Sequence, residues 1–120
     1  MTDRELLELA AKAAGIKVPT KKDYPYEYID ERGIHRDISC GGDGTRMSHW
    51  NPITDDGDAL RLAVKLQLRV IPPEDEFGLD RASVRIAGVR DLVDAFDSDP
   101  YAATRRAIVR AAAEIGRSMK

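Results

Sequence analysis

Apolar residues recur at helical spacing in three stretches of the chain and alternate at strand spacing in several shorter ones. In the first stretch, Leu6, Leu7, Ala10, Ala11, Ala13 and Ala14 follow a Thr-x-x-Glu capping box made by Thr2 and Glu5. Gly15 stands where a terminating glycine belongs. This predicts a helix over 3–14 whose alanine-rich face admits a close neighbour. In the second stretch, Ala59, Leu60, Leu62, Ala63, Val64 and Leu66 give a broad apolar face. Ahead of it, Asn51-Pro52 is a turn signal that keeps Asn51 out of helical geometry. Thr54 or Asp55 then caps a helix over 55–66. Asp55, Asp56 and Asp58 bring negative charge to its start, where free amides and the helix dipole favour it. In the third stretch, Asp99-Pro100 sets an aspartate at the cap and a proline at the first helical position. Tyr101, Ala107, Ile108, Ala111, Ala112 and Ile115 line the inner side of a helix that runs to about Arg117.

Strand signals fill the intervals. Tyr26 and Tyr28 alternate with charged residues, Ile34 and Ile38 do so less cleanly, and Glu31-Arg32-Gly33 reads as a turn between two short strands. Residues 39–49, with three glycines, read as a loop. Leu68 to Ile71 reads as a strand that Pro72-Pro73 ends, because proline cannot donate to the ladder. EDEFGLD, residues 74–80, is an acidic turn. Val84 and Ile86 alternate with Ser83 and Arg85 in a strand over Ala82 to Val89, and residues 90–96 fit either a strand or a helical turn. The expected order is αββαββα. Three amphipathic helices are enough to cover both faces of a small sheet. The expected fold is therefore α+β, an α-β-α sandwich with a mostly antiparallel sheet of about four strands, in one domain over 1–120.

Composition narrows the partners. Of 120 residues, 42% are hydrophobic and 33% charged, which fits one folded and well-solvated domain. The formal net charge is −2. Nucleic-acid-binding domains gather an excess of Lys and Arg on one face, so this balance argues against a DNA or RNA partner and leaves room only for a local patch. Cys40 is the one cysteine, so no intramolecular disulfide can form, as suits a reducing cytosol. The N-terminal MTDRELLELAAKAAG is too charged for a signal peptide, and no apolar run approaches the roughly 20 residues of a membrane span. The expectation is a soluble cytoplasmic protein without membrane association.

Several constellations offer chemistry, and each has a plainer account. GGDGT, residues 41–45, resembles the phosphate-binding loop of NAD kinases and lipid kinases. Such a loop works beside a buried strand and a helix start, yet HRDISC precedes it and Pro52 cuts off a following helix. A surface loop accounts for it better. His35, Cys40 and His49 are zinc-ligand types, but structural zinc sites want four ligands with paired spacings. The same residues suggest a Cys–His nucleophile, which needs an imidazole held against the sulfur. DDGD, residues 55–58, looks like a calcium fragment but lacks the alternate ligands and distant glutamate of such a loop. Arg105, Arg106, Arg110 and Arg117 could meet phosphates, while Glu114 competes for Arg110 and Arg117. Trp50, the one tryptophan, is either a contact hot spot or an anchor beneath the following helix.

WNPITDDGDALRLAVKL, taken with DPYAATRRAIVRAAAEIG, resembles a family of small phage and prophage proteins, the phage alpha-beta-alpha sandwich domain. In that family a Trp-Asn-Pro turn leads into an aspartate-rich helix start, and a later Asp/Asn-Pro opens a last helix rich in arginine and alanine. Trp50, Asn51, Pro52, Asp55, Asp56, Asp58, Ala59 and Leu62 carry the first motif; Pro100, Ala103, Arg106 and Ala107 carry the second. Lambdoid proteins of the Nin X type show a similar plan more distantly. The resemblance covers the second half of the chain well and residues 20–49 little. It implies a phage or prophage origin and a sheet between helices, and it implies no catalytic residue.

The resulting expectation is a small, non-enzymatic phage or prophage accessory protein that acts through protein contacts. Its contact surface is expected at His35, Arg46, His49 and Trp50, with no catalytic, cofactor-binding or metal-binding residue. The protein partner is unknown, and an exposed sheet edge makes a homodimer a reasonable form. Two alternatives stand beside it. One is a nucleic-acid-associated phage protein using the arginines of the last helix. The other is a small nucleotide- or metal-dependent enzyme using residues 35–49.

Overall fold

The computed structural model describes residues 1–19, 26–73, 81–88 and 92–119. Helix α1 spans Asp3–Ala14. The Thr2 hydroxyl accepts the Glu5 N–H at 3.2 Å, and Ile16 N–H donates to Ala11 O at 2.9 Å past Gly15, which holds φ 74°. That is the predicted cap at one end and the predicted left-handed glycine at the other. Helix α2 spans Asp56–Lys65 and helix α3 spans Pro100–Ser118. Asp55 supplies the α2 cap, accepting the Asp58 N–H at 2.8 Å, so Asp55 and not Thr54 fills that role. Asp99 caps α3 by accepting the Tyr101 N–H at 3.0 Å.

Helix α3 is the spine, and α1 makes the most extensive contact with it. Ala10, Ala11 and Ala14 of α1 are buried, as are Ala103, Ala107, Ala111, Ala112 and Ala113 of α3. Small side chains on both helices let the backbones approach closely. At Gly116 a β-carbon would lie 2.0 Å from Leu9 O, so the crossing requires glycine there.

The strands form two antiparallel sheets of three. Sheet I consists of β1 (Tyr28–Asp30), β2 (Gly33–Asp37) and β3 (Met47–Trp50), in that order. Sheet II consists of β4 (Arg69–Ile71), β5 (Arg81–Arg85) and β6 (Leu92–Phe96), in that order. The α+β class holds, with three helices at the expected places. The expected single sheet of about four strands does not: six strands are split between two sheets, in the order αβββαβββα. Two strands account for the difference. Residues 47–49, expected within a loop, and Trp50, expected to open the turn before α2, form a strand that pairs with β2, Trp50 opposite Ile34 and His49 opposite His35. Residues 92–96, readable either way in the sequence, pair with β5. Both are edge strands with weak apolar alternation, and the ladder to a central neighbour defines them rather than their own pattern.

The sandwich expectation is corrected too. Sheet II buries Ala82, Val84 and Ala95 on the side that packs against α3, while Arg69, Arg81, Arg85, Leu92 and Phe96 on its other side are exposed. Among the described residues no helix covers that second face. The strand expected over Ala82 to Val89 ends at Arg85; Val89 and the acidic turn at 74–80 lie outside the described residues. Among the described residues no helix is long and apolar enough to cross a membrane.

Candidate functional site

The two sides of sheet I differ sharply. On one side Ile29, Ile34 and Trp50 form a cross-strand row; both isoleucines are buried and the indole packs against the core. On the other side the next row is Tyr28, His35 and His49. The Tyr28 and His35 rings stack at 4.1 Å with 17° between their planes, and His35 meets His49 at 4.7 Å and 42°. Three rings from three strands thus run side by side across an outward surface. Strand alternation alone puts them there, because every second residue shares a face.

Hydrogen bonds fix this row. The Asp30 carboxylate takes the His35 Nε2 bond at 3.1 Å and the Arg32 N–H at 2.9 Å, within a two-residue turn made by Glu31 and Arg32. Partial burial pushes the Asp30 carboxyl up. The bonds from His35 and Arg32, with the charges of both, outweigh that and hold it below the ordinary 3.8. His49 Nε2 bonds Arg32 O, and the Asn51 side-chain amide donates to the same oxygen at 2.8 Å. Gly33, at φ 112°, sits beneath the end of β3; a β-carbon there would lie 2.1 Å from Trp50 O. The hairpin can pass under β3 only with glycine.

The glycine-rich loop closes on a carboxylate of its own chain. Asp37 accepts the Ser39 N–H at 2.9 Å, the Ser39 hydroxyl, and the Gly44 N–H at 2.9 Å. Those bonds, the Ser39 hydroxyl first, hold its carboxyl below the ordinary value. Tyr26 lies across Gly44, leaving no room for a side chain, and the buried Glu27 accepts the Asp37 N–H at 3.0 Å. Gly44 N–H already serves Asp37. Residues 38–46 are therefore a β2–β3 connection folded on an internal anion, with Cys40 exposed on it.

The aspartates of the central motif are likewise structural. Asp58 is buried and accepts the Asn51 N–H at 2.9 Å and an Arg61 Nη2 bond at 2.7 Å. Asn51 Oδ1 in turn accepts the Ile53 N–H at 2.9 Å. Among the described residues no group of three or more His, Cys, Asp or Glu is placed to hold a metal ion.

The arginines of α3 are tethers. Arg105 donates to Ile53 O at 2.8 Å and to Asp56 at 2.7 Å, joining α3 to the turn before α2. Arg106 grips Asp3 with two bonds of 3.0 and 3.3 Å. Arg110 donates to Asp94 O at 3.1 Å, and Arg117 lies 3.5 Å from Glu114. Arg106, Arg110 and Arg117 line one surface cleft together with Asp94 and Glu114, while Arg105 is turned to Ile53 and Asp56.

Of the four surface residues expected from the sequence, His35 and His49 come together on one face. Arg46 is exposed at the end of the glycine loop, where its carbonyl accepts the Ile38 N–H at 2.8 Å. Trp50 is turned to the opposite, core-facing side. Tyr28 and Asp30 complete the face and were missed; the alternation of Tyr26 and Tyr28 was the only trace of them. Comparison of the chain with family models, curated proteins and solved structures returned no match.

Proposed function

We propose that this chain is a protein-contact module, a non-enzymatic accessory protein of a phage or prophage that works in the bacterial cytoplasm through the outer face of sheet I. The observation that carries this reading is the Tyr28–His35–His49 row, in which Tyr28 stacks on His35 and His49 tilts against it, with Tyr28 and His49 exposed and the His35 side chain 15% exposed. Flat rings held in place present contact area at little entropic cost, and tyrosine is among the residues that protein interfaces favour. Each imidazole has its Nε2 bonded, to Asp30 or to Arg32 O, which fixes both rings in the row. Three surface clefts of about 370 to 550 Å³ are lined by other residues and include none of the three rings. The phage origin is supported by the Trp50–Leu66 and Asp99–Gly116 resemblance alone.

A second copy of the chain is the first partner to test, because β1 and β3 are the edges of sheet I and open edges pair. Light scattering on a sizing column measures this directly. For other partners, the tagged chain is compared with its Tyr28→Ser/His49→Ser variant in captures from induced lysogens. A partner held by the parent and released by the variant, with unchanged melting temperature, supports the reading. A partner held equally by both removes the face from consideration.

A further inference from the structure

The geometry points to a second surface, the open face of sheet II, as a site for single-stranded nucleic acid: Arg69, Arg81 and Arg85 hold its phosphates and Phe96 stacks on a base. This is independent of the reading above, since it uses another sheet and other residues.

The register places the parts. Arg69 is directly opposite Arg85, which is directly opposite Leu92. The next row is Ile71, Ser83 and Asp94, with Ser83 buried between the longer side chains and Asp94 half-buried, and the last pairs Arg81 with Phe96. All share the side away from α3, because Val70, Ala82, Val84, Val93 and Ala95 alternate with them on the packed side. Like charges directly opposite on adjacent strands are destabilising. Among the described residues no carboxylate separates Arg69 from Arg85, and an anion between them removes the penalty. Among the described residues, none of the three arginines has a carboxylate within salt-bridge distance; Asp94, the one acid in these rows, accepts the Ser83 hydroxyl at 2.6 Å. Phe96 is 68% exposed, beside Arg81, with Leu92 at 41% and Ile71 at 38% around the same surface.

Arginine forks match phosphate geometry, and an exposed ring offers a stacking platform that any base can use. An open sheet with a ring and cations is how proteins take unpaired strands. Arg81 and Arg85 are four residues apart, roughly 13 Å along the strand, so the face suits a short run of nucleotides. The bulk charge of −2 disfavours long-range attraction and makes the site weak, yet among the described residues this face sets three arginines against one engaged carboxylate.

The test uses the full chain and a fluorescent oligo-dT of about 12 nucleotides, with anisotropy read from about 20 to 200 mM salt. Three phosphate contacts give a slope of log K on log salt of about −2. Arg69→Ser/Arg85→Ser lowers affinity and brings the slope to about −0.7, while its melting temperature stays level or rises. Phe96→Ala weakens binding about tenfold with the slope unchanged. Arg4→Ser/Arg117→Ser removes the same charge elsewhere and leaves binding within about twofold. No binding at the lowest salt overturns the inference. Equal losses in both arginine pairs overturn it as well. So does a polyglutamate peptide that binds as tightly as the oligonucleotide, which would make the face one for acidic protein.

Discussion

The Asp58 carboxylate accepts the Asn51 N–H at 2.9 Å, and both residues are buried. This bond ties the Trp-Asn-Pro turn to the first turn of α2. Asp55 holds the Asp58 amide, Asp58 holds the Asn51 amide, and Asn51 reaches Arg32 O beneath sheet I. The acidic motif is thus a bracket that seats a helix and registers a sheet at the same time.

Asp58→Ala leaves a buried amide without an acceptor. The expected loss is about 2 kcal/mol, since an unmade buried hydrogen bond forfeits the desolvation of its donor. Asp56→Ala removes an exposed carboxylate whose ion pair with Arg105 is worth less than about 1 kcal/mol. Urea denaturation of both variants checks the contrast. Equal effects would show that the bracket is not what holds the turn.

Gly33→Ala and Gly116→Ala both set a β-carbon against a backbone oxygen, at 2.1 and 2.0 Å. Neither oxygen can move aside without shifting a strand or a helix, so each variant is expected to lose about 3 kcal/mol or more, at the upper end for overpacking. Gly41→Ala meets open space and carries only its left-handed φ of 89°, which costs about 1–2 kcal/mol. Melting temperatures order the three, with Gly41→Ala the mildest.

Arg105 and Arg106 are adjacent in sequence and unequal in structure. The Arg105 side chain is 17% exposed and satisfies the Ile53 carbonyl, so Arg105→Ala is expected to cost about 2 kcal/mol. Arg106 and Asp3 are 30% and 38% exposed, and screening holds Arg106→Ala to about 1 kcal/mol. Raising salt should narrow the Arg106 effect and leave the Arg105 effect nearly unchanged, as denaturation at two ionic strengths would read out.

Asp30 and Asp37 both titrate below 3.8 in the folded chain and return to the ordinary value on unfolding. Their stabilisation is therefore complete above pH about 3.8 and is lost as pH falls through the lower folded values. These two groups therefore lower stability on the acid side. Asp37→Asn should flatten that acid limb relative to the parent while leaving the slope near neutral pH alone. Urea midpoints across an acid-to-neutral pH series give the answer.

The sequence by itself determined the three helices, the caps of α1 and α3 and the α+β class, and left the α2 cap between Thr54 and Asp55. Those features are local: Thr2 with Glu5, Asp99 with Pro100, and apolar residues three and four apart act within one or two turns of chain. It also marked the hairpin at Glu31-Arg32 and brought His35 and His49 under suspicion. Only the tertiary structure decided how the strands divide. Met47–Trp50 and Leu92–Phe96 are strands because β2 and β5 lie alongside to complete their hydrogen bonds, and no residue within either segment announces that neighbour. Which side a residue faces follows from register, and a shift of one residue inverts it. That is why Trp50 went inward while Tyr28 joined the histidines outside, and why three arginines scattered over β4 and β5 converge on one open surface.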